Sequence, residues 1–145
     1  MLKQEKMGTD ELYAKLRQFS GGDEWTMHKL TRNVLFSEGL KYLAENAGAY
    51  WLIDAIAYQL AANPKIKKER QKNKRFARLH FWHLRKTGES SAVLEAIEDK
   101  GMKPVISREI KFTDFPFDPS GKDFIIYAGD NGPGTPITLF LPSEY

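Results

Sequence analysis

Residues 37–63 read SEGLKYLAENAGAYWLIDAIAYQLAAN, and this stretch decides the fold. Ser37 is placed to cap a helix in which Leu40, Leu43, Ala44 and Ala47 recur at helical spacing. Gly48 ends or kinks that helix, and a second one begins at once, nearly all apolar over residues 49–62. A helix of that composition has to be covered on most sides by the rest of the chain. Pro64 closes it, because the residue before a proline disfavours helical backbone. The short connection at Gly48 keeps the two helices close together. The next segment is opposite in character. Residues 65–75, KIKKERQKNKR, hold a single apolar side chain, Ile66.

Upstream, Thr9 reads as the cap of a helix whose first turn carries Asp10 and Glu11, a favourable match to its dipole. Leu12, Leu16 and Phe19 line one face of it, and Gly21 and Gly22 stop it. EWTMHKL (24–30) and NVLF (33–36) are short strand candidates, joined by a hairpin around residues 31–33. Downstream the chain turns to strands. FARLHFWHL (76–84) sets Leu79 and Phe81 on one face and His80 and Trp82 on the other. SAVLEAIE (91–98) and PVISREIKF (104–112) come after the turns KTGE and DKGM. DFPFDPSG (114–121) is a proline-rich loop, and FIIYA (124–128) pairs with PITLFL (136–141) across DNGPGT. Helices first and strands second is the α+β pattern. The expected architecture is a set of N-terminal helices, one of them buried and apolar, packed on a C-terminal antiparallel sheet of about four to six strands.

The chain has 145 residues, which suits a single domain over 1–145, with a basic segment at 65–78. It lacks cysteine, which excludes disulfides, zinc–thiolate sites and cysteine nucleophiles. Residues 1–13 contain no apolar run of the kind a secretion signal needs. The apolar run at 51–62 is interrupted by Asp54 and Gln59 and is too short to span a bilayer. A soluble cytoplasmic protein is the expectation. The net charge of +3 is unevenly distributed: residues 65–86 carry ten Lys or Arg against Glu69 alone, whereas the remainder carries twelve against eighteen acids. Such asymmetry points to an anionic partner.

The basic run supplies Lys65, Lys67, Lys68, Arg70, Lys72, Lys74, Arg75 and Arg78, with Phe76, Phe81 and Trp82 beside it. Clustered cations bind phosphates by releasing counterions, and aromatic rings add stacking platforms for single strands. The competing readings are a solvated loop or frayed helix end, with the aromatics in the core. Asp54 lies inside the apolar helix, one turn from Tyr50 and from Tyr58. A buried acid there is either satisfied structurally or is a functional carboxylate working with Tyr58, Glu38 or His28. His80 and His83 stand at a strand spacing that sends their rings to opposite faces, so no metal site is expected. The loop DNGPGTP (130–136) leads into a strand and lacks the lysine and hydroxyl of a phosphate-binding loop; it reads as a hairpin connection. Ser90 and Ser91 lack an acid–base partner at a recognisable spacing. No cofactor is implied.

The tracts FSGGDEW, LFSEGLKYLAENAGAYWLIDAIA, FARLHFWHL and IKFTDFP together resemble an uncharacterised family of small bacterial proteins, also carried by plasmids and phages. Gly39, Glu45, Gly48, Tyr50, Trp51 and Asp54 sit in the tract that carries most of the likeness. The resemblance transfers no catalytic residue; it implies an accessory protein of a mobile element, acting on nucleic acid or on a host nucleoprotein machine. Three functions are compatible with this sequence. The first is a non-enzymatic binder of nucleic acid or of a nucleoprotein complex through the basic segment. The second is a protein-directed inhibitor or adaptor, such as an anti-defence factor, without nucleic-acid affinity. The third is an enzyme built on Asp54. A homodimer through a sheet edge or the two-helix unit is open.

Overall fold

A computed structural model describes residues 8–145; the reading of residues 1–7 as free of a secretion signal lies outside them. Helix α1 spans Thr9–Leu16. Strands β1 (Trp25–Met27) and β2 (Val34–Ser37) form a hairpin, followed by helices α2 (Glu38–Ala47) and α3 (Tyr50–Ala62). Helices α4 (Pro64–Lys72) and α5 (Lys74–Arg78) come next. Strands β3 (His80–Lys86), β4 (Ala92–Ile97), β5 (Ile106–Ile110), β6 (Phe124–Gly129) and β7 (Ile137–Phe140) complete the sheet. A short 3₁₀ turn at Pro142–Glu144 ends the ordered elements. The fold is α+β, as expected. Its sheet has seven strands, in the order β1-β2-β7-β6-β3-β4-β5, more than the four to six anticipated.

The two extra strands come from the hairpin ahead of α2. β2 lies against β7 in parallel, Val34 beside Ile137 and Phe36 beside Leu139, whereas every other pair is antiparallel. The sheet is therefore mixed. The hairpin occupies the β7 edge of the antiparallel meander, and β2 runs from there straight into α2. Glu144 pins that corner: its carboxylate accepts from Ser37 Oγ at 2.5 Å, from Gly39 N at 3.2 Å and from Leu141 N at 2.8 Å.

Ser37 caps α2 by accepting from Leu40 N, and Gly48 ends it in the left-handed conformation (φ 63°) that glycine adopts without strain. Pro64 closes α3 and opens α4. α3 buries Leu52, Ile53, Ile56, Ala57 and Leu60. Tyr50 and Tyr58 stay exposed, so the helix keeps one solvent stripe rather than being covered all round. α1 differs from expectation at both ends. Gly8 stands at its cap position without a side-chain bond, and it stops at Leu16, before the glycine pair.

The strands alternate. His80, Trp82 and Leu84 of β3, Ala92, Leu94 and Ala96 of β4, Phe124, Ile126 and Ala128 of β6, and Ile137 and Leu139 of β7 are all buried against the helices' apolar side chains. Apart from the buried Gly129, their neighbours along each strand are partly or fully exposed. A sheet buried on one face and open on the other results from that alternation. Phe115, brought in by the proline-rich loop, packs on Trp51 and Phe124. Tyr13 donates to Pro116 O at 2.9 Å, and burial together with the Asp118 charge pushes its hydroxyl up to about 12. Among the described residues, no helix is long and apolar enough to cross a membrane.

Candidate nucleic-acid interface

The basic run is helical, not a loop. Asn63 accepts from Lys65 N and Ile66 N to start α4, and Asn73 accepts from Phe76 N to start α5. Asn73 also donates to Glu98, which ties the junction to the end of β4. Ile66 and Phe76 are wholly buried and anchor the two helices to the core. The cations of the run lie on outward faces except Arg70, whose side chain is mostly buried.

Helical spacing then sorts the eight cations. Lys67, Arg70, Lys74 and Arg78 line one wall of a cleft of about 590 Å³, with Leu60 and Ile137 among its apolar residues. Lys65, Lys68 and Lys72 are exposed on α4, and Arg75 lies toward Asp99 at 3.9 Å. Not all of these charges are available. Asp130, only 7% exposed, holds Arg70 at 2.8 Å and Arg78 at 2.9 Å, and also accepts from Gly132 N. Lys72 approaches Glu69 at 3.7 Å. Lys65, Lys67, Lys68 and Lys74 hold no ion pair among the described residues. The loop 130–136 is a hairpin connection, yet it supplies the carboxylate that organises the cleft. That role was invisible in a local reading of DNGPGTP.

The aromatics beside the run divide. Phe76 and Trp82 are core residues, so they offer no stacking surface; Phe81 is half-buried on the far side of β3. Phe76 stacks on His80 with ring centroids 4.0 Å apart. Trp82 Nε1 donates to His80 Nε2 at 2.9 Å, which makes Nδ1 the protonated nitrogen, donating to Phe76 O at 2.9 Å. Burial pushes His80 down to about 4, and the nearby Arg70 charge adds to this, while the Phe76 carbonyl and Asp130 pull the other way. His80 is thus a neutral pin between α5 and β3. His83 lies on the other face, 3.1 Å from Asp123.

Asp54 is not buried. Its side chain is 49% exposed, and Oδ1 lies 2.7 Å from Nε2 of the buried His28, one of the three partners anticipated. His28 Nδ1 faces Thr31 Oγ1 at 2.9 Å and accepts from Thr31 N at 3.3 Å, so the ring donates to Asp54 through Nε2. Tyr58 packs edge-on against the same ring, whereas the Glu38 carboxyl is raised chiefly by a hydrogen bond with Glu24. The group fastens the β1–β2 turn to α3. Among the described residues, no three His, Asp or Glu side chains converge as a metal cluster would require.

The helical order of the cations was available in the sequence: Lys67, Arg70, Lys74 and Arg78 recur at intervals of three or four. A model described as "Family of unknown function (DUF6876)" matches residues 10–145 of this chain. Neither the curated proteins nor the solved structures include a match to it.

Proposed function

We propose that this chain, which belongs to that family of unknown function, is a non-enzymatic binder of nucleic acid that engages phosphates through α4 and α5. One observation carries the reading: four cations of two consecutive helices, Lys67 and Arg70 of α4 and Lys74 and Arg78 of α5, line one cleft with apolar residues beside them, and Lys67 and Lys74 hold no ion pair among the described residues. Cations held on a rigid element lose less freedom on binding than those of a loose tail. Asp130, the one acid lining the cleft among the described residues, is committed to two arginines rather than free for acid–base chemistry. An accessory role on a mobile element rests on the sequence resemblance, most of it in the 39–57 tract.

The acids interleaved with the cations, Glu69, Asp99 and Asp130, favour a second reading, in which the same face docks on a protein surface of mixed charge. Salt separates the two. Four lysines neutralising phosphates give a log–log salt slope of about −3 to −4. Binding to short single- and double-stranded DNA and RNA at two salt concentrations, by the wild type and by a variant with Gln at Lys67, Lys68, Lys72, Lys74 and Arg75, tests the proposal. Salt-sensitive binding that the variant loses is the expected result. A wild type that binds none of the oligonucleotides at low salt ends the nucleic-acid reading.

A further inference from the structure

The face of the sheet turned away from the helices carries a row of rings. Strand register places Phe81 beside Tyr127 and Tyr127 beside Phe140, and Trp25 reaches Phe140 edge-on with centroids 6.4 Å apart. The contacts run continuously, at 4.8 Å for Phe81–Tyr127 and 5.8 Å for Tyr127–Phe140. Tyr145, 80% exposed, adds a ring parallel to Phe140. Leu35, Ile97 and Ile125 share the face and are partly exposed. A one-sided sheet ordinarily turns polar side chains outward. Here the central outward positions are aromatic and aliphatic.

On this face Arg85 pairs with Glu95 at 3.1 Å and His83 contacts Asp123 at 3.1 Å, while Glu109, opposite Val93, lies toward the β5 edge, away from the rings. Among the described residues no lysine or arginine stands within the ring row, and Arg85, farther along β3 on the same face, is paired with Glu95. An uncharged aromatic centre inside a polar rim is the anatomy of a protein interface. It also avoids like-charge repulsion when set against an identical surface.

We infer that two copies of this chain associate through this open sheet face. Seven strands about 4.8 Å apart and about five residues long, at about 3.3 Å per residue, give a flat footprint of about 550 Å² per copy. Side-chain relief adds to that, bringing the pair to the roughly 1,200 Å² at which specific interfaces begin. β6 is the middle strand of the seven. A two-fold axis through the centre of the face therefore sets β6 against its own copy, with Tyr127 near the axis. The sheets would stack back to back, leaving both helical layers outermost. The inference is independent of what the basic cleft binds.

Sedimentation equilibrium of the wild type from micromolar to millimolar concentration, beside Tyr127→Lys, tests it. The expected result is a wild-type dimer and a folded variant whose dissociation constant is at least about 100-fold higher, because the lysine enters twice. The absence of native cysteine permits a second measurement that does not depend on that variant. Ile125→Cys on β6 should cross-link between copies with a short bis-maleimide, and Lys65→Cys on α4 should not. A wild type monomeric throughout, a Tyr127→Lys variant that stays dimeric, or cross-linking at residue 65 but not 125 overturns the inference. So does a monomeric wild type whose oligonucleotide binding is lost in Tyr127→Lys, which would make the face a stacking platform.

Discussion

The neutral His80 pin makes stability depend on pH in a way that can be worked out. In the unfolded chain this histidine takes up a proton near 6.5; folded, it resists protonation until about 4. Above 6.5 neither state carries the proton, and the contribution of His80 is constant. As pH falls from 6.5 toward 4, the unfolded state gains a proton that the folded state refuses, so stability is lost across that window and levels off below it. Each pH unit of separation is worth about 1.4 kcal/mol, which gives a total of about 3 kcal/mol. Urea unfolding at closely spaced pH values, for the wild type and for His80→Gln, isolates the contribution as a difference. The variant is expected to be less stable at pH 7, because Trp82 Nε1 and the Phe76 carbonyl lose their partner. The gap between the two proteins should then narrow by about 3 kcal/mol toward pH 4. An NMR titration should find the His80 ring unprotonated at pH 5.5. A ring that titrates near 6.5, or a stability gap that is flat with pH, would refute the placement of His80 as a buried neutral pin.

Replacing Asp130 by Asn releases Arg70 and Arg78 from their shared carboxylate. The expected cost is about 2–3 kcal/mol by thermal or urea unfolding, below the usual figure for a broken buried pair because Arg78 is half exposed. Oligonucleotide affinity at low salt should rise with a slope steeper by up to about two, and unchanged binding would remove both arginines from the interface. Gly129→Ala places a methyl group on the backbone of Arg78 and Leu79, which neither residue can yield without moving the α5–β3 junction. A loss of about 2–3 kcal/mol by urea unfolding is expected, and a neutral result would contradict that close approach. Asp54→Ala breaks a half-exposed pair with His28 and should cost no more than about 1 kcal/mol, with nucleic-acid binding intact. Any catalytic activity lost specifically in that variant would reopen the enzymatic reading.

Much of the helical layer was legible because its signals are local. Ser37, Gly48 and Pro64 mark the ends of α2 and α3, and the apolar run between them states which helix is buried. The exposed stripe on α3 was misread, Asp54 being taken as buried, although Tyr50, Asp54 and Tyr58 recur every fourth residue; the polar tips of two tyrosines and an acid outweigh the apolar run they interrupt. The basic helices were harder. Lysine, arginine, glutamine and glutamate all favour helix, and Asn63 and Asn73 are good caps, but only Ile66 and Phe76 anchor the segment, too far apart to show a periodic face. Asp130 and the pairing of β2 with β7 depend on residues distant in sequence, and no local pattern carries such information. The open aromatic face hid for a related reason. Phe81, Tyr127 and Phe140 belong to three strands, and they become a row only once register is known.

The parallel pairing of β2 with β7 has a consequence in time. About a hundred residues separate Val34 from its neighbour Ile137. At synthesis rates of about 5–20 residues per second, that interval lasts about 5–20 s. Throughout it the β1–β2 hairpin and the first turn of α2 exist without β7 and without the Glu144 carboxylate that holds Ser37 and Gly39. A two-stranded hairpin is marginal alone and leaves an unpaired edge exposed to other chains. The antiparallel strands β3, β4 and β5 can form meanwhile from neighbours in sequence, so closure of the sheet is the late, non-local step. Destabilising β7 should therefore harm the yield of folded protein more than its share of the native contacts suggests, because it lengthens the period in which the earliest strands wait for a partner.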